Sequence, residues 1–203
     1  ANMTYAGKVS AILSVFGKVF CIIIVLHIVI LVVQYTIAGV LNGKNPFVLL
    51  KNMIPAYLTA IGTQSSAATI PVTLKQTKLN GINNGIADFT IPLCATIHLS
   101  GSTITLTSCS MAVMMLNGIN FSLGSMFGFI LMLGVTMVAA PGVPGGAVMA
   151  ALGLLHTMLG FNPELQALMI ALYLAQDSFG TACNVTGDGA IAAIVNKIAG
   201  YKL

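Results

Sequence analysis

From residue 89 to residue 163 the chain carries no formally charged side chain. A soluble domain covers its surface with polar groups, and about a quarter of its residues are Asp, Glu, Lys or Arg. Here the figure is 6% over 203 residues. A soluble enzyme is therefore excluded, and the bilayer is the solvent in which this sequence folds. The sequence contains no arginine. It thus has no guanidinium fork for phosphate, nucleic acid or a substrate carboxylate. The net charge of +4 comes from dispersed lysines, so no nucleic-acid partner is expected.

In hydrocarbon, backbone groups must bond within the chain, which leaves helices as the natural element for these apolar runs. The expected fold class is an all-α membrane protein, organised as one domain over residues 1–203. A transmembrane helix is expected over 9–41. Its apolar run Val19–Val33 is interrupted only by His27, and Asn42–Pro46 supplies the stop. Pro46–Lys78 is shorter than the roughly 40 residues that two full spans and a turn require. Lysines stand at both ends and the polar run Gly62–Pro71 in the middle, so residues 46–79 read as a re-entrant hairpin. A broken transmembrane helix follows over 85–117, interrupted at Ile97–Thr103. The pattern then recurs, with a second hairpin over 123–159 around Ala139–Ala147. A second broken helix over 164–199 is expected to be interrupted at Thr181–Gly189. This parity puts Lys44, Lys51, Lys75, Lys78, Lys197 and Lys202 on one side, against Lys8 and Lys18 on the other. The lysine-rich side is cytoplasmic by the positive-inside rule. The two hairpins then enter from opposite faces as an inverted repeat, an arrangement that places transporter sites at the midplane.

Asp177 and Asp188 carry the strongest chemical signal. A carboxylate in the bilayer costs about 2.5–3.5 kcal/mol even on insertion scales, so it needs a cation, a proton or a hydrogen-bonding partner. No lysine lies between residues 79 and 196, so a metal ion, a proton or a substrate amine is expected to answer these charges. Asn184 and Asp188, at i and i+4, can face one cavity, and oxygen donors of this kind suit a hard cation such as sodium. Ser65, Ser66 and Thr69 at the first hairpin tip offer hydroxyls and free N–H groups to a substrate carboxylate. Gly142, Pro144, Gly145 and Gly146 form a tight second tip suited to a gate. His27 and His156 read as structural, while His98 lies at a break where proton coupling is conceivable. The four cysteines read as buried apolar groups. No leader cleavage pattern precedes the first helix, and the expectation is a processed chain or a piece of a longer one.

Several ordered motifs resemble the dicarboxylate/amino acid:cation symporter family, which includes glutamate and neutral amino acid transporters. They are TQSSAATIPVT at Thr63–Thr73, ATIHLSGST at Ala95–Thr103, the GVPG tip at Gly142–Gly145 and NVTGD at Asn184–Asp188. The similarity runs from about residue 5 to 200 and corresponds to the C-terminal half of a typical member. It implies a multi-pass protein of the plasma (inner) membrane, a homotrimer at full length, whose mobile domain moves like an elevator against a scaffold. The scaffold and the third helix of the transport domain would lie outside this chain. By the same resemblance, Ser65, Ser66, Ser102, Val143, Asp177, Thr181 and Asn184 would bind an amino acid or small carboxylate substrate. Asp188 would bind sodium with carbonyls of Cys94, His98 and Asn184, and carbonyls around Thr96 and the second tip would serve a further sodium site. No organic cofactor is implied.

The departures are specific. Gly180 stands where acidic-substrate members carry Arg, and Gln64 where some carry a hairpin Arg. Loss of that bidentate partner favours a neutral amino acid of serine or threonine size. Gln176–Ser178 also resembles the serine/threonine branch. Ser100 and His98 replace the family's Asp and Asn, which puts a third sodium site in doubt. The alternatives are proton-coupled or sodium-coupled uptake of dicarboxylates or acidic amino acids and, more distantly, an intramembrane hydrolase using Ser66, His98 and Asp177.

Overall fold

A computed structural model describes the backbone from residue 2 and the side chains from residue 15 onward. The side chain of Lys8, used above for orientation, lies outside the described residues. Among the described residues every regular element is an α-helix. Helix α1 (Asn2–Asn42) includes the apolar stretch Val15–Asn42, which is long enough to cross a bilayer. Ile22, Val25, Val29 and Val33 are exposed on it, as expected for a surface facing lipid.

The entry arm of the first hairpin is two helices, α2 (Pro46–Asn52) and α3 (Ile54–Thr63), where one arm was expected. Pro55 in the first turn of α3 has no N–H to continue the ladder, which accounts for the division at Met53. The return arm is α4 (Ser66–Leu79). Between the arms stand only Gln64, in left-handed backbone at φ 51°, and Ser65, which accepts from the Ala68 N–H at 3.2 Å. Helices α5 (Asn84–Ile97) and α6 (Ser100–Leu116) are separated at His98 and Leu99, inside the expected interruption. Together they form the second stretch long and apolar enough to span. The second pair is α7 (Leu123–Met137) and α8 (Gly146–Leu159), joined by the Gly–Pro tip. Helix α8 ends at Gly160 in left-handed backbone, and Asn162 with Pro163 starts α9 (Pro163–Leu174).

The last helix requires a correction. The run Thr181–Gly189 is not an interruption but lies inside α10 (Asp177–Ile198), and the break stands upstream at Ala175–Gln176. The glycines there serve packing. A Cβ on Gly187 would come within 2.6 Å of Gln34 Oε1, and one on Gly189 within 2.7 Å of the Tyr35 hydroxyl. Small residues let helices approach at membrane depth without breaking the ladder. Helix α10 is accordingly central, packed against α1, α3, α4, α5 and α6, and carries its polar side chains inward. One apolar core joins α6, α7, α8 and α9, with Phe129, Leu133 and Leu155 buried. A second gathers α1, α3, α5 and α10 around Tyr35, Met53 and Ile91.

Cys94, Cys109 and Cys183 are buried as expected, but Cys21 is exposed on α1. His27 is buried, its Nε2 donating to the Gly101 carbonyl at 3.0 Å. His156 Nδ1 stands 3.0 Å from the Phe161 carbonyl, closing the end of α8. The α6–α10 approach is tight: a Cβ on Gly101 would overlap the Gly180 carbonyl and come within 2.6 Å of Cys183 Cβ. Gly101→Ala is expected to cost about 1–3 kcal/mol through overpacking. It should lower the melting temperature of the intact protein in nanodiscs; an unchanged melting curve would show that these helices separate freely.

Candidate substrate and cation site

The two hairpin tips and the first turns of α10 converge on one small cleft. Ser66, Ser102, Val143, Asp177, Thr181 and Asn184 line it together, as does Tyr173. Its volume is about 10 Å³, room for one water molecule. The closure comes from direct bonds between the tips. Ser65 Oγ donates to the Gly142 carbonyl at 2.7 Å, and the Ala67 N–H donates to the same oxygen at 3.2 Å. Ser65 is thus a tip-to-tip latch and does not itself line the cleft. Val143 is half exposed at the rim.

Asp177 opens α10, where the helix dipole favours a negative charge. It is 4% exposed, and its Oδ2 accepts the Gly145 N–H of the second tip at 2.7 Å. Thr181 Oγ1, one turn on, lies 3.5 Å from Oδ1. Asn184 bridges to α6. Its Oδ1 accepts the N–H groups of Gly101 and Ser102 at 2.8 and 3.2 Å, while its Nδ2 donates to Ser102 Oγ at 2.8 Å. Leu99 provides no side-chain cap for α6, so a residue of a different helix performs that task.

Asp188 lies deeper, 1% exposed, and separate from the cleft lining. The sequence provided no nearby lysine for it; the structure provides His98, whose Nδ1 is 2.8 Å from Asp188 Oδ1. The other ring nitrogen stands 3.1 Å from Gln34 Nε2 of α1. Both nitrogens therefore face partners other than Ser66, and the hydrolytic set Ser66, His98 and Asp177 is not assembled. The Cys94 carbonyl accepts the His98 N–H at 2.9 Å, which keeps it beside the helix break. The Thr96 side chain is exposed and its hydroxyl donates to the Leu93 carbonyl at 2.9 Å. Gln34 and Tyr173 were not singled out from sequence. For Gln34 the signal was present: an amide side chain within an apolar spanning helix.

The sequence profile of the sodium:dicarboxylate symporter family matches residues 1–198. The chain belongs to this family. Its members are transporters and not enzymes, and membership places the chain as a multi-pass protein of the plasma (inner) membrane. The chain is 30% identical over 157 residues to an excitatory amino acid transporter of Caenorhabditis elegans, covering 77% of this chain and 31% of the relative. It is 30% identical over 165 residues to human excitatory amino acid transporter 2, covering 81% and 29%. With human excitatory amino acid transporter 1 the identity is 28% over 207 residues, covering 100% of this chain and 37% of that protein. The chain thus spans about a third of the length of the curated relatives it matches.

The residues present suit the sodium that the family name implies. The Asp188 carboxylate and the Gln34 Oε1, which is buried beside Gly187 without a hydrogen-bond partner, are hard oxygen donors.

Proposed function

We propose that this chain is the substrate-handling part of a secondary symporter that couples sodium entry to uptake of a small neutral amino acid. The observation that carries the reading is the cleft itself: a buried carboxylate at a helix start, hydroxyls of Ser66, Ser102 and Thr181 from the first hairpin, α6 and α10, and no basic residue in its lining. Asp177 would receive the substrate ammonium, and the Ser66 hydroxyl, with the Ala67 N–H that leaves the Gly142 carbonyl when the tips part, the carboxylate. Thr181, Asn184 and Ser102 would orient the remainder.

Preference for a neutral side chain rests on packing as well as on composition. A Cβ on Gly180 would already stand 3.3 Å from Thr105 Oγ1 and 3.5 Å from the Ser102 nitrogen. The α6–α10 approach is thus close at this position, and with Gly180 in place a second substrate carboxylate would be desolvated without a cation. Competition binding on the intact protein tests this. Serine, threonine or alanine is expected to displace bound ligand at concentrations at least about tenfold lower than aspartate or glutamate; the reverse order would reject the Gly180 argument.

The cleft is too small for an amino acid unless the tips part. Opening breaks the Ser65–Gly142 and Gly145–Asp177 bonds, and the substrate ammonium then takes over the Asp177 oxygen that the gate's N–H holds. The short arms support a re-entrant reading: α7 and α8, at 15 and 14 residues, reach only about 21–23 Å against a core about 30 Å thick. Two such hairpins of opposite entry, each followed by a helix pair broken midway, form the inverted repeat of an elevator-type carrier, homotrimeric at full length. Sodium would be held at Asp188 with backbone carbonyls of Cys94, His98 and Asn184, and at a further site near Thr96. Bound there, it supplies positive charge that offsets a carboxylate in low dielectric.

A further inference from the structure

Three elements meet at Asp188 through side chains that the cleft does not use. His98 stands in the α5–α6 break with extended backbone, at φ −108° and ψ 94°. Its ring is therefore positioned by its neighbours and not by a helix face. Gln34 Nε2 can only donate, so at 3.1 Å it requires His98 Nε2 to accept, and the ring proton then sits on Nδ1. That N–H points at Asp188 Oδ1 from 2.8 Å. Gln34 thus selects the tautomer that seals the carboxylate. The same amide leaves its own oxygen buried and unpartnered beside Gly187, the residue before Asp188. Such an oxygen costs free energy where it stands, and it is a ready ligand for a hard cation.

We propose that the His98 N–H and a sodium ion compete for the same oxygen of Asp188. His98 and Gln34 then set the cation affinity of this chain. Sodium reaches Asp188 by turning the imidazole aside, and the Gln34 oxygen joins its ligands as the His98–Gln34 bond breaks. The inference rests on the sodium-coupled reading above. The ring side chain retains 14% exposure whereas Asp188 has 1%, so the ring has an outward path and the carboxylate has none. Cation affinity is accordingly lower than the Asp188 carboxylate alone would give, because each binding event first gives up a hydrogen bond to a charged group.

The test is a sodium chloride titration of the intact protein in nanodiscs, against choline chloride at constant ionic strength, read as the sodium-dependent rise in melting temperature. His98→Ala removes the competing N–H, and His98→Phe removes it while keeping ring volume. Both are expected to lower the half-maximal sodium concentration about tenfold or more. Gln34→Leu frees the tautomer but removes an oxygen ligand, and is expected to give less than either. Damage to the fold lowers the melting temperature without sodium and does not tighten the response. A sodium response in wild type with an unchanged or raised half-maximal concentration in the His98 variants overturns the competition and leaves the coupling reading standing. No sodium response in any variant or in wild type, with uptake equally indifferent to sodium, overturns the coupling reading and the competition with it.

Discussion

Asp188→Ala is expected to abolish the sodium dependence of uptake, with any residual transport no longer saturating as sodium is raised. Among the described residues Asp188 is one of two buried carboxylates and the one held away from the substrate cleft. Replacing it by Ala removes the only anionic oxygen available to a cation there, and also leaves the His98 N–H without its acceptor. No other side chain can take over, since Asp177 is engaged by the second hairpin tip. Asp188→Asn provides the isosteric control: it keeps an oxygen for His98 but carries no charge, so it should lose sodium activation with little loss of melting temperature. Wild-type-like sodium activation in either variant would reject the assignment of Asp188.

Asp177→Asn is expected to lower apparent amino acid affinity about 100-fold. The amide oxygen can still accept the Gly145 N–H, so the gate contact and the start of α10 survive. What disappears is the negative charge that, in the proposed role, would answer a substrate ammonium inside a cleft shielded from water. Charge-assisted bonds in such surroundings are about twice as strong as neutral ones. Isothermal titration with a neutral amino acid separates the effects, because a gating defect slows exchange whereas loss of the ammonium partner weakens equilibrium binding. Unchanged affinity would mean that the ammonium is bound elsewhere.

How far these sites were legible in sequence depended on distance along the chain. The tips at Gly62–Pro71 and Ala139–Ala147 were readable because polar, Gly and Pro residues cannot lie against lipid. The α5–α6 break was readable for the same reason. The same signal misled at Thr181–Gly189, where polar and glycine residues face other helices instead of interrupting their own. Composition reports that such a run avoids lipid; it does not report whether the backbone is unwound or merely surrounded. The lining of the cleft followed from a family resemblance and not from spacing. Three relationships had no local signature: the Asn184 cap on α6, the His98–Asp188 pair and the Gln34–His98 contact, separated by 83, 90 and 64 positions respectively. Each depends on helices brought together by the fold. A missing N-cap at Leu99 and an amide in an apolar helix were the only traces that the sequence held of them.

The most direct measurement is uptake by the intact protein in proteoliposomes, with serine, threonine, alanine, aspartate and glutamate compared under an inward sodium gradient, a proton gradient and neither. Accumulation of a neutral amino acid driven by the sodium gradient is expected. Uptake indifferent to sodium, or driven by sodium only for aspartate or glutamate, would contradict the account.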